Sequence, residues 1–156
     1  MSRHVGSKRE LGVGWLLALA AVLAPAFAVR GDDAASTPDV AGWRARAEAG
    51  DAAAQVEFGR RCATGDGVAK DEAQAVGWYR KAAEQGDANG QNNLGVMYAS
   101  GRGIAKDLGQ AAGWYRKAAE RGFARAQRNL ASLYEQGTGV PKDPAQALVW
   151  YRKAAE

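Results

Sequence analysis

The feature that most constrains this chain is a unit that recurs three times at intervals of 36 residues. Each unit contains the tripeptide Trp-Tyr-Arg followed by Lys-Ala-Ala-Glu, and each tripeptide is preceded by a Gly-x-Gly segment and a Lys-Asp pair. The tripeptides begin at Trp78, Trp114 and Trp150. A fixed period of this size indicates stacked supersecondary units that bury their apolar faces against one another. We therefore expect the repeated residues to serve the scaffold, and functional residues to lie where the copies differ.

The first 28 residues have the composition of a secretory signal peptide. Basic residues open the segment, an apolar run covers residues 11–23, and Ala26-Phe27-Ala28 gives the small-x-small pattern of a signal peptidase site. The run is shorter than the roughly 20 residues that span a bilayer. We therefore predict cleavage after Ala28 rather than retention as an anchor, with export to the bacterial periplasm or the medium. Residues 29–36 are predicted to form a polar linker.

Removal of this segment changes both the charge and the available chemistry. The formal net charge falls from +4 to about +2, and His4, the only histidine, is lost. Nucleic acid is then not an expected partner, because its binding needs a concentrated basic face. Without histidine, His-dependent nucleophile pairs, His acid–base catalysis and His-ligated metal sites are excluded, and we expect no enzyme activity, metal or cofactor. Cys62, the only cysteine, aligns with Tyr98 and Tyr134 and is predicted to be a buried apolar residue.

Each unit is predicted to contain two antiparallel helices, which we name helix A and helix B. Helix A is predicted near residues 52–63, 88–100 and 124–136, because large apolar residues recur there at i, i+4 spacing. A further helix over residues 37–50 resembles the second half of an earlier unit. The Gly-x-Gly segments resemble half of a phosphate-binding loop, but they follow helices, so they are predicted to be turns that need positive φ.

Helix B is predicted to begin with a capping box. Asp71, Asp107 and Asp143 are the expected N-caps, each with a glutamine three residues later that can reach back to the N-cap amide. The tryptophan of each tripeptide is expected on the inner face of helix B. The arginine of each tripeptide is expected on the outer face, paired with the glutamate four residues later, as in Arg80 and Glu84.

This pattern resembles the Sel1-like repeat family, which is related to the tetratricopeptide repeats. The family pattern is Ala-Gln-x-x-Leu-Gly-x-x-Tyr, then Gly-x-Gly-Val-x-x-Asp, then Ala-x-x-Trp-Tyr-x-Lys-Ala-Ala-x-x-Gly. It covers residues 52–87, 88–123 and 124–156, with departures such as Gly90 for the first Ala and Cys62 for Tyr. The resemblance implies an all-α fold, a right-handed α-solenoid of antiparallel helix pairs, and a non-catalytic scaffold or adaptor of the cell envelope.

One alternative concerns secreted members of the family that are rich in cysteine and have been assigned penicillin binding or β-lactamase activity. Those proteins carry paired cysteines in each repeat, whereas this chain has a single cysteine. The Ser-x-x-Lys motif of conventional serine enzymes is also absent from residues 29–156. A role in binding or hydrolysing β-lactams therefore stays a remote alternative.

If the tetratricopeptide relation extends to geometry, the A helices line a concave groove that binds a protein or peptide. Candidate groove residues are those at which the copies differ: Arg60, Asn89, Asn92, Val96, Arg125, Arg128 and Ser132. The arginines predict a partner with acidic side chains or a free carboxylate, and the asparagines can bind a peptide backbone.

A second hypothesis from the sequence is a structural assembly element. A further helix A would pack on the last helix B at Ala147, Trp150 and Tyr151. These residues are therefore expected either to be tolerated as a weak edge or to form a docking edge for a second copy or another partner.

Overall fold

The computed structural model of the chain describes residues 40–156, and within them it contains seven α-helices and no strand. The predicted signal peptide, the linker and the first three residues of the leading helix lie outside the described residues. The helices are α1 (Val40–Glu48), α2 (Ala52–Thr64), α3 (Glu72–Glu84), α4 (Ala88–Ser100), α5 (Leu108–Glu120), α6 (Ala124–Gln136) and α7 (Pro144–Lys153). Helices α2, α4 and α6 are the A helices, and α3, α5 and α7 are the B helices. The predicted all-α fold is confirmed, and none of these helices is long and apolar enough to cross a membrane.

The B helices begin at the predicted aspartates, but only half of each capping box forms. Each carboxylate accepts a hydrogen bond from the backbone N–H three residues later, as Asp71 does from Gln74 at 2.8 Å. The reciprocal bond from the N-cap amide to glutamine is not made. Instead the backbone N–H of Asp71 donates to the carbonyl oxygen of Cys62 at 2.8 Å, and the equivalent amides bond to Tyr98 and Tyr134. The last turn of helix A thus supplies the acceptor, so main-chain atoms join the two helices of each unit.

Gln74, the glutamine that does not bond to the N-cap amide, has another hydrogen-bond partner in the first unit. Its side-chain oxygen, Oε1 of Gln74, accepts the thiol proton of Cys62 at 2.9 Å. Cys62 is fully buried, as predicted, and burial raises the pKa of its thiol. A buried, protonated and hydrogen-bonded thiol is a structural rather than a reactive group.

The turns between helices hold successive units close together. Gly103 has a φ of 65°, and a Cβ at this position would overlap the main-chain carbonyl of Glu72 at the start of α3. Gly139 meets Leu108 in the same way one unit later. The second glycine of these Gly-x-Gly segments therefore allows the turn to lie directly on the preceding helix B, in agreement with the predicted positive φ.

In the first two units the tyrosine of helix B is buried more deeply than the neighbouring tryptophan. Tyr79 and Tyr115 are only 5% and 4% exposed, and they pack against Gly59 and Gly95 of the A helices. Burial raises the pKa of each phenol to about 12. The three repeated tryptophans pack against the core, as expected for the inner face, and all three are half-buried. Each carries a lysine ammonium 4.1 to 4.4 Å from its ring centroid.

The tripeptide arginines link neighbouring units, which corrects the ion pairs expected within helix B. Among the described residues Arg80 makes no ion pair with Glu84, and its Nη2 donates to the Tyr98 hydroxyl at 3.5 Å. Arg116 donates to the Tyr134 hydroxyl at 2.9 Å. In both cases the guanidinium on helix B donates a hydrogen bond to a tyrosine hydroxyl on the next helix A. This hydrogen bond joins successive units.

A buried glutamine makes a second link between units. Gln55, Gln91 and Gln127 lie at one position of the A helices and are at most 5% exposed. Each donates its Nε2 to a carbonyl oxygen near the end of the preceding helix, at 3.1 to 3.2 Å. The acceptors are the carbonyls of Ala47, Ala83 and Ala119.

Candidate functional site

The candidate site is the surface of α2, α4 and α6 that carries the residues at which the copies differ, here called the A-helix face. Its predicted members differ widely in exposure. Four are exposed (Arg60, Asn89, Arg125 and Arg128), two are half-buried (Val96 and Ser132), and Asn92 is buried.

Asn92 does not have the free side chain that the sequence suggested. It is only 4% exposed, and its Oδ1 accepts a hydrogen bond from Nδ2 of Asn129 at 3.0 Å. Its own Nδ2 donates to Oδ1 of Asn93 at 3.4 Å. Because Asn92 lies on α4 and Asn129 on α6, this side chain bridges neighbouring A helices, and its amide is already bonded rather than open to a peptide backbone.

Arg60 is exposed, but its charge is neutralised locally. Its Nη2 lies 2.8 Å from Glu57 and 3.2 Å from Asp66. The hydrogen bond to Glu57 raises the pKa of Arg60, and the same bond lowers the pKa of the Glu57 carboxyl. The first unit therefore does not add a free cation to the A-helix face, contrary to the expectation for Arg60.

Arg61 is a buried charged residue of α2 that the sequence analysis missed. It is 3% exposed and aligns with Met97 and Leu133, which are core residues. Its Nε lies 3.0 Å from Glu57 Oε1, at an angle that makes no hydrogen bond, and its Nη1 lies 3.5 Å from Asp66 Oδ2. The alignment of the three copies contains the signal, since only the first copy has a charge at this position.

The third unit carries the free positive charge of the A-helix face. Arg125 and Arg128 are exposed, lie in the first two turns of α6, and make no ion pair within residues 40–156. Asn89, on α4, is also exposed and has no hydrogen-bond partner among the residues described. Ser132 accepts a hydrogen bond from Gln136 Nε2 at 2.9 Å. Of the predicted groove residues, Asn89, Arg125 and Arg128 are thus the ones available to a partner.

The predicted docking edge on α7 has a different composition from the one expected. Ala147 is buried and Trp150 is half-buried, whereas Tyr151 is 37% exposed. Two neighbours that the sequence analysis omitted, Leu148 and Val149, are 51% and 44% exposed. These three side chains are the large apolar residues exposed in the described part of the chain.

No arrangement for metal chemistry is visible in residues 40–156, which hold no cluster of three histidine, cysteine, aspartate or glutamate side chains suited to a metal ion. What the A-helix face offers is charge and hydrogen bonding on a rigid helical surface. Both suit the recognition of another molecule.

The repeated unit identifies the family. Residues 52–87, 88–123 and 124–156 each match the model of the Sel1 repeat. The chain belongs to the Sel1 repeat family. Sel1 repeat proteins are generally scaffolds for protein–protein interactions rather than enzymes. No curated protein matches the sequence.

Solved structures of other Sel1 repeat proteins resemble this one. A protective antigen of uropathogenic Escherichia coli with an SLR fold is 42% identical, with a TM-score of 0.73, over 76% of this chain and 25% of that protein. A Sel1 repeat protein from Oxalobacter formigenes is 45% identical, with a TM-score of 0.67, over 69% and 44%. The Helicobacter pylori cysteine rich protein B has the same fold at 23% identity, with a TM-score of 0.58, over 76% and 90%. The chain thus spans less than half of the first two proteins.

Proposed function

We propose that this Sel1 repeat chain is a non-catalytic scaffold of the cell envelope that binds an acidic segment of a partner protein on its A-helix face. The observation that carries the proposal is the pair of exposed arginines, Arg125 and Arg128, neither of which has an ion-pair partner in residues 40–156. Residues three apart lie on the same side of a helix. Two guanidinium groups on one side of α6 form a site for carboxylates, which arginine binds through paired hydrogen bonds.

The positive charge of the A-helix face is unevenly distributed over the three units. In the first unit Glu57 and Asp66 neutralise Arg60, so the basic charge lies on the third unit. In the second unit, Asn89 of α4 is the counterpart of Arg125, and its side-chain amide is exposed. An extended partner would therefore place its acidic residues over α6 and its backbone over α4, where an amide can bind it.

The envelope location depends on the first 28 residues, whose basic, apolar and small-residue regions favour export. The similar E. coli protein is a protective antigen. An antigen of this kind is consistent with exposure outside the cytoplasm, and we extend that location to this chain.

Capture from an envelope fraction tests the groove. The chain carrying both Arg125→Glu and Arg128→Glu should lose its specific partner, with at least a tenfold drop in affinity measured on the purified pair, because each change replaces attraction by repulsion. A matched control carries Lys142→Glu and Arg152→Glu, which alter the net charge equally in the same unit but on other surfaces. The A-helix site would be ruled out if the groove variant kept its partner or if both variants lost it equally.

A second candidate function, assembly through α7, is favoured by one comparison between units. Leu148 is 51% exposed, whereas the aligned Val76 and Ala112 are 5% and 2% exposed. Tyr151 is 37% exposed, whereas the aligned tyrosines are buried. The side of helix B that is covered in the first two units is thus open on α7 within the described residues. Apolar surface of this kind favours association with a second copy.

A further inference from the structure

Asn129 lies on α6 at a position of the A-helix face that the sequence analysis did not select. It follows Arg125 by four residues, so the two side chains share one side of the helix. Asn129 is half-buried, and its Nδ2 donates to Oδ1 of the buried Asn92 on α4 at 3.0 Å. Its side chain is thus held by a neighbouring unit, beside an arginine that makes no ion pair within residues 40–156.

The hydrogen bonds of this amide leave one strong acceptor unused. An asparagine side chain has two N–H donors on its nitrogen and an acceptor oxygen on the other side of the amide group. The nitrogen of Asn129 is bonded to Asn92, and Asn92 is held in turn because its own Nδ2 donates to Oδ1 of Asn93 at 3.4 Å. Oδ1 of Asn129 accepts no hydrogen bond from any described residue. The network therefore presents an oriented acceptor at its α6 end.

The aligned residues of the other units use the oxygen at this position. In the first unit the position holds Glu57, whose carboxylate accepts hydrogen bonds from Arg60 at 2.8 and 3.0 Å. In the second unit it holds Asn93, whose Oδ1 accepts the bond from Asn92. Asn129 bonds toward α4, so it lies at a junction between two described units. Its oxygen is the one at this position that has no donor among the described residues.

We infer that Asn129 contacts the acidic partner, with its Oδ1 accepting the backbone N–H of the aspartate or glutamate whose carboxylate Arg125 binds. This inference rests on the proposed function, because it concerns the same site. A guanidinium offers donors to a carboxylate, and the amide oxygen beside it needs a donor in return. One acidic residue of an extended peptide supplies both groups, whereas a simple carboxylate supplies no N–H. The pair of side chains therefore selects a peptide over a small carboxylate anion.

Three short peptides test this contact by NMR titration of the labelled chain. The first is acetyl-Gly-Asp-Gly methylamide, the second carries a methyl group on the aspartate nitrogen, and the third carries it on the nitrogen of the following glycine. All three have the same charge. The second should bind about two- to tenfold more weakly than the first, which is the range that one hydrogen bond contributes. The third should bind as well as the first, because its aspartate N–H is intact.

Substitution of Asn129 supplies a second readout that a purely structural role would not change. Asn129→Leu removes the acceptor, so the first and second peptides should then bind alike. Asn89→Leu removes an exposed amide from α4 and is the matched control, in which the difference between the two peptides should persist. The comparison of peptides on the unaltered chain does not depend on the folding of either variant.

The inference is overturned if the second peptide binds the unaltered chain as well as the first, or if the second and third are weakened equally. The chain with both Arg125→Glu and Arg128→Glu separates this result from a failure of the proposed function. If that chain binds all three peptides more weakly while the unaltered chain binds them alike, the charge site stands and the contact with Asn129 is refuted. If the double substitution changes nothing, or if no peptide binds, the acidic-partner site is refuted and the inference with it.

Discussion

Arg61 is the residue at which the first unit departs most from the other two. Methionine and leucine fill its position in the second and third units, and both are buried. Arg61 is as buried as they are, so its charge has been taken out of water and is compensated by Glu57 and Asp66 at 3.0 and 3.5 Å. The removal of the Arg61 charge from water costs free energy that its two partly exposed carboxylate partners only partly recover, so these ion pairs are weak support for stability.

We predict that Arg61→Met leaves the free energy of unfolding within about 1 kcal/mol of the original value, because methionine is apolar, flexible and already fits the aligned position. Glu57 keeps Arg60 as a partner, so the substitution does not strand a charge. Arg61→Ala should cost about 1–3 kcal/mol, since it leaves a cavity. Urea unfolding followed by circular dichroism measures both variants. A loss above about 3 kcal/mol for Arg61→Met would show that the ion pairs are needed.

The helices and turns separate two kinds of glycine that look alike in the sequence. Gly103 lies in a turn with positive φ against the carbonyl of Glu72, whereas Gly113 lies inside α5 on an exposed surface. A Cβ added at Gly113 would meet nothing within 4 Å. The first glycine is required by the packing between units, and the second is not required by the fold.

The same substitution should therefore act in opposite directions at the two sites. Gly113→Ala should stabilise the chain by about 0.5–1 kcal/mol, because alanine is the better residue in a helix interior. Gly103→Ala should destabilise it by about 2 kcal/mol or more, because the backbone is strained and the methyl group overlaps α3. Thermal and urea unfolding of the two variants provide the measurement. A change of the same sign at both sites would refute this distinction.

The helices and turns also show which structural features could be predicted from the sequence. Aspartate caps and glycine turns were predictable because each depends on contacts within a few residues. The second half of the capping box was not, because the amide of Asp71 is taken by the carbonyl of Cys62 from the preceding helix. The deep burial of Tyr79 and Tyr115 depends on Gly59 and Gly95 of the facing A helices, because a Cβ at either glycine would overlap the tyrosine ring. Propensity and periodicity do not contain that information.

For the described part of the molecule, the 36-residue period predicted stacked units, and the i, i+4 spacing and helix caps within each unit predicted that the units are helical. These patterns were not enough to predict the surface that a partner meets. Asn92 is covered because Asn129, 37 positions later, bonds to it, and Arg60 is neutralised by an aspartate in the following turn. The exposed charge on the A-helix face is thus set by contacts between units and turns.

Association through α7 is a prediction for the whole molecule. At high micromolar concentration a chain of residues 29–156 should sediment as a species whose size increases with concentration, because the exposed side of α7 is apolar. Leu148→Glu should give a monomer. Gln146→Glu adds the same charge to the same helix at an exposed polar position and should not change the association. A strict monomer for the unaltered chain would exclude α7 as an interface between copies.

The hydrogen bond from the N-cap amide of each helix B to helix A has a consequence for how such a chain can evolve. Both partners are main-chain atoms, as in the bond from Asp107 to Tyr98 at 2.9 Å. This hydrogen bond between the two helices of a unit therefore does not depend on the side chain of the acceptor residue. In the first unit the acceptor is a cysteine instead of a tyrosine, and the bond is still made. A unit copied by gene duplication therefore keeps the main-chain hydrogen bond between its two helices. Selection is then free to alter the surface of each copy while the copy still folds.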